Sequence, residues 1–68
     1  MTAPELEKAL LDIGLPVKVR RDGARKEWVA TIEWRYHPDA TEKSRVEGAH
    51  ATVLGAMEAV VLAYWRKR

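Results

Sequence analysis

Cysteine is absent from this 68-residue chain, so neither a disulfide nor a cysteine-based metal site can staple the fold. Phenylalanine is absent too, and any aromatic core must come from three tryptophans and two tyrosines. A single serine, Ser44, and two histidines, His37 and His50, leave no credible activated nucleophile beside a base. The four glycines form no phosphate-cradling loop, and the histidines and carboxylates show no ligand spacing for a metal. These absences predict a protein that is not an enzyme and needs no cofactor or metal.

What the chain does have is an unusual last third. From Ala51 to Trp65 the only charge is Glu58, and the run ends on Arg66-Lys67-Arg68. As a helix it is apolar almost all round and must be covered on more than one side. So short a chain is a single domain, residues 1–68, with little else to cover that helix; oligomerisation is the remaining way to stabilise it. With no signal peptide and no cysteine, the expected compartment is the cytoplasm.

The elements can be read in order. Thr2-Ala3-Pro4-Glu5 is a capping box with proline in the first turn, and Leu6, Ala9, Leu10 and Ile13 then share one helical face. Gly14 and Pro16 end this helix, predicted over residues 3–13, with Leu11 left outside the apolar stripe. Val17 and Val19 alternate with Lys18 and Arg20 as a short strand, and Asp22-Gly23 begins a turn lengthened by Ala24-Arg25. The second strand places Trp28, Ala30, Ile32, Trp34 and Tyr36 on one face, with Glu27, Val29, Thr31, Glu33 and Arg35 on the other; His37-Pro38-Asp39 stops it. Its aromatic face is expected to be core rather than a stacking platform. Ser44 to Glu47 is a third strand only in outline, and Gly48 to Ala51 leads to Thr52, the expected cap of the last helix. On that helix Val53, Met57, Val60 and Tyr64 form the central stripe, flanked by Leu54, Val61 and Trp65. Gly55, Ala59 and Ala63 make a row of small residues, and Leu62 falls outside both. The expected fold is α+β, α-β-β-(β)-α, a small antiparallel sheet with the C-terminal helix packed on its tryptophan face.

Net charge is only +2 but unevenly spread. Residues 17–26 concentrate Lys18, Arg20, Arg21, Arg25 and Lys26 against Asp22 alone. Such a basic hairpin is the alternative site, a nucleic-acid contact through phosphates to which the Arg66-Lys67-Arg68 tail can add. The plain reading is a solvated hairpin whose edge is protected by charge. A second alternative is a membrane-surface role for residues 53–66, where Tyr64-Trp65 and the basic tail look like an interfacial belt. Against a membrane role, the apolar run falls short of the ~20 residues of a span.

Trp28-Val29-Ala30-Thr31-Ile32, then Glu47-Gly48, then Thr52 ahead of Ala56-Met57 and Ala59 resemble the strand, glycine and threonine-capped alanine-rich helix of HicB-type antitoxin domains and related double-stranded-RNA-binding-like folds. The resemblance covers residues 28–65 and implies the architecture above. Val53-Leu54-Gly55 stand where HicB-type helices carry Pro-Glu-Glu, and the first helix is extra. The lysines that RNA-binding-like domains place at the start of the last helix are missing too. No functional residue is therefore transferred.

The leading functional expectation is a small interaction module, homodimeric through Leu54, Gly55, Ala59, Leu62 and Trp65, or docking another protein there. A module of this size suits a regulatory or inhibitory role, including one encoded by a phage or other mobile element.

Overall fold

A computed structural model describes residues 1–35, 39, 41 and 43–67. Its elements are α1 (Ala3–Ile13), β1 (Val17–Asp22), β2 (Glu27–Trp34), β3 (Ser44–His50) and α2 (Val53–Lys67), with the strands forming one antiparallel sheet in the order β1-β2-β3. This is the α-β-β-β-α order expected from the sequence. Tyr36, His37 and Pro38, read above as the end of the second strand and its stop, lie outside the described residues, as does Arg68.

The first helix forms where its caps place it. The Thr2 hydroxyl donates to Glu5 Oε1 at 2.8 Å, the Thr2 amide donates to the same oxygen at 3.2 Å, and the Glu5 amide donates to Thr2 Oγ1 at 3.4 Å. Gly14 closes the helix at φ 68°, donating its N–H to the Leu10 carbonyl at 3.1 Å. The two hydrogen bonds from Thr2, side chain first and backbone second, hold the Glu5 carboxyl below its usual pKa. A depressed folded-state pKa stabilises the fold above the unfolded value and loses that contribution as pH falls through the folded one. Loss of the cap in Thr2→Ala should cost about 1 kcal/mol at neutral pH, and the gap between wild type and variant should narrow in acid as Glu5 is protonated, the bond from the Glu5 amide to Thr2 Oγ1 persisting. Thermal melts from pH 7 to pH 3 check both parts.

Asp22 shapes the first hairpin. Its Oδ1 accepts from the amides of Ala24 (3.1 Å) and Arg25 (3.2 Å), and Lys26 re-enters the strand at φ 57°, a left-handed conformation that suits glycine. Lys26→Gly should leave the fold unchanged and stabilise it by about 0.5–1 kcal/mol, measured by urea unfolding.

Register decides the two faces. Val17, Val19 and Arg21 align with Ile32, Ala30 and Trp28, and these with Val46, Gly48 and His50. This face carries α2. Ala30, Ile32, Val46, Ala56 and Val60 are the buried core, while Leu6 and Ala9 of α1 cover Val61 on the flank of α2. Leu11 is 75% exposed, as its position off the stripe predicted.

Three features differ from the sequence reading. β3 runs to His50 rather than stopping at Glu47, because Gly48, Ala49 and His50 go on pairing with Ala30, Val29 and Trp28; the backbone of α2 crosses directly over Gly48, where a Cβ would collide with Ala59 and Val60. The tryptophans fringe the core instead of filling it. Trp28 and Trp34 are partly buried at opposite ends of β2; the Arg21 guanidinium stands 5.6 Å from the Trp28 ring, and Trp34 meets Tyr64 edge-on at 5.0 Å with the Lys67 amine 6.0 Å away. On the face of the sheet opposite α2, Val29 (4% exposed) and Thr31 (8%) are buried although no helix among the described residues lies there. Their cross-strand neighbours Lys18, Arg20, Glu47 and Ala49 flank them from both sides.

Candidate interaction surface

α2 is anchored at both ends. Thr52 Oγ1 accepts from the Gly55 amide at 3.0 Å as N-cap, and His50 Nδ1 accepts from the Thr52 amide at 3.2 Å. At the other end Lys67 Nζ donates to the Arg45 carbonyl at 3.3 Å, so Arg66 and Lys67 belong to the last turn rather than to a loose tail. The Lys67 cation beside the helix C-terminus also suits the helix dipole.

Two sides of α2 are thereby used within the chain. Ala56 and Val60 face the sheet, Val61 faces α1, and the row of small residues faces β3. Gly55 and Ala59, expected at an interface between chains, instead meet their own chain. The His50 ring occupies the place a Gly55 side chain would take, and Ala59 abuts Gly48. Small residues let another backbone approach closely, and here that backbone is β3.

The remaining side is uncovered. Leu54 is 58% exposed, Leu62 39% and Trp65 46%. Helical spacing sets these three on one outward strip, with Glu58 between them. The Glu58 carboxylate lies 3.4 Å from the Met1 amino group, and a groove of about 260 Å³ opens beside Trp65 against Met1, Ala9 and Asp12. Isolated exposed apolar side chains are ordinary, but three aligned on one helix face form a patch, and patches mark contact surfaces.

The basic hairpin does not form one patch. Lys18 and Arg20 point to the face opposite α2, Arg21 lies over Trp28 on the other face, and Arg25 pairs with Asp22 at 3.9 Å. The five cations of residues 18–26 are thus divided between two sides of the sheet and the turn. No helix is long and apolar enough to cross a membrane among the described residues, and there no three histidine, aspartate or glutamate side chains gather as a metal site would need. No protein-family model, curated protein or solved structure matches the chain.

Proposed function

We propose that this protein is a small non-enzymatic interaction module that pairs with a second copy of itself through the outer strip of α2. The observation that carries the reading is the exposure of Leu54, Leu62 and Trp65 on a helix whose other two sides are already covered.

The spacing of the strip supports a second copy as the occupant. Positions 54, 58, 62 and 65 read nearly the same in both directions, so a two-fold axis close to residue 60 sets Leu54 against Trp65 and Glu58 against Leu62 of the second copy. A self-complementary strip of this kind gives a closed, isologous dimer rather than a filament. Two helices alone bury less than a standard interface, so the dimer should be of micromolar strength, about −8 kcal/mol. A regulatory or inhibitory role then consists of presenting the paired molecule, or the freed strip, to a target.

Sedimentation equilibrium from about 1 to 100 µM, bracketing that affinity, tests the proposal. A concentration-dependent monomer–dimer shift is the expected result. A single monomeric species across the whole range overturns it.

A further inference from the structure

The sheet ends in β3 on one side and in β1 on the other. At the β3 edge the Lys67 amine takes the Arg45 carbonyl at 3.3 Å, and Arg45 and Glu47 neutralise each other as an ion pair. β1 has no such cover among the described residues. It meets only β2 and α2, because α1, its neighbour in sequence, packs on α2 instead. Lys18, Val19, Arg20 and Arg21 are all exposed, Val19 at 38% although it lies on the face that carries α2.

The charge on this edge has one sign. Among the described residues Lys18 and Arg20 have no carboxylate within 4 Å, and Asp22 is occupied by Arg25 and two turn amides. The other carboxylates on their side of the sheet are engaged as well, Glu33 with Lys43 and Glu47, two strands away, with Arg45. An open edge is a template for another strand, and lysine and arginine are a common defence against one. Here the defence selects by sign. A second copy paired antiparallel about Val19 would set Lys18 against Arg20 at two places, and like charges directly opposite are destabilising. A strand bearing carboxylates meets attraction at the same positions. The division of the cations, which spoils them as a single phosphate surface, suits a strand, whose side chains also alternate between two faces.

We propose that the outer edge of β1 takes up an extended acidic segment of another protein as an added strand. Its carboxylates lie beside Lys18 and Arg20 on one face, and its apolar residues beside Val17 and Val19 on the other. Main-chain hydrogen bonds supply the affinity, and the alternation of charge and apolar side chains supplies the specificity. This edge is separate from the outer strip of α2 and does not depend on the dimer proposed above.

The test is an amide-detected NMR titration of the intact protein at low salt with a capped peptide of alternating glutamate and valine, about seven residues long. The control peptide has the same composition with its glutamates and valines in separate blocks. Saturable shifts centred on β1 are expected at millimolar peptide, with slowed solvent exchange at every second amide of that strand, since only alternate amides face outward. The block peptide should bind severalfold more weakly. Lys18→Gln should weaken the alternating peptide by about twofold to fivefold. Lys18→Glu with Arg20→Glu, both at exposed positions, should weaken it by at least about tenfold and create binding of an alternating lysine–valine peptide. No saturable shift, equal affinity for the block peptide, shifts without slowed exchange, or charge-reversed protein that binds as the wild type does would each overturn the proposal. A single-stranded DNA oligonucleotide that displaces the peptide and binds more tightly would overturn it in favour of nucleic acid. A monomeric variant at Leu62 should titrate as the wild type does, so failure of the dimer and failure of this edge give different results.

Discussion

Gly48→Ala is expected to unfold much of the protein at temperatures where the wild type is intact. A 68-residue chain has total stability of roughly 3–10 kcal/mol. The added methyl group would meet the backbone of Ala59 and Val60, and backbone cannot turn aside as a flexible side chain can. Forcing volume into a packed contact costs about 1–3 kcal/mol, and a clash with helix backbone belongs at the top of that range. For a domain of this size, that lowers the melting temperature by roughly 12–20 °C. Two other glycines serve as internal controls. Gly23, in the hairpin turn, has open space around its Cα, so Gly23→Ala should change stability by less than about 0.5 kcal/mol. Gly55→Ala pushes the His50 ring off its hydrogen bond from the Thr52 amide and gains about 1 kcal/mol of helix propensity, so its effects should nearly cancel. Thermal melts of the three variants should therefore rank Gly48→Ala far below the other two. Three equal losses would mean that α2 does not sit on β3 as described.

Gly48 also shows where sequence reading reached its limit. Helix α1 was legible to the residue because its signals are local: a capping box, a proline in the first turn and a left-handed glycine. The hairpin and the inward face of β2 were legible for the same reason, through turn chemistry and the two-residue period. The last three residues of β3 were not. Gly48, Ala49 and His50 have little intrinsic preference for strand, and the reason for a glycine there lies on a helix a dozen residues later. Burial of Val29 and Thr31 was hidden in the same way, since it depends on which residues of β1 and β3 stand opposite them, and strand register is not written in any one segment. The row of Gly55, Ala59 and Ala63 was correctly read as a seam for close approach. Composition alone, however, cannot distinguish a strand of the same chain from a helix of another, and the strand took it. Leu62 needs no such choice, since it lies off both stripes by angle and is exposed, whereas Leu54 and Trp65, read with Val61 as flanking the central stripe, are exposed while Val61 is buried against α1.

Leu62→Glu is expected to dissociate the proposed dimer, and comparison with Leu62→Lys tests how its two copies would meet. Position 62 is exposed in the single chain, so either charge should cost the protomer less than about 1 kcal/mol. In the pairing about residue 60, position 62 faces Glu58 of the second copy at two symmetric places. Glutamate there adds like-charge repulsion to the lost apolar contact, and truncation of a buried anchor alone costs about 2–4 kcal/mol. Dissociation constants should therefore rise by at least thirtyfold, to about tens of micromolar or weaker. Lysine loses the same apolar contact but gains an attraction to Glu58, worth about 0.2–1 kcal/mol for each partly exposed pair. The lysine variant should accordingly dimerise several times more tightly than the glutamate variant, and the difference should shrink as salt is raised. Trp65→Ala, which removes the group set against Leu54, should weaken association by about 2 kcal/mol or more with no salt dependence. Sedimentation of the three variants at two ionic strengths separates the outcomes. Equal losses for lysine and glutamate would exclude the antiparallel pairing, which sets a carboxylate of the second copy opposite position 62; the effect of Glu58 of the same chain, one helical turn away, falls on the protomer and is read from the melts of the two variants.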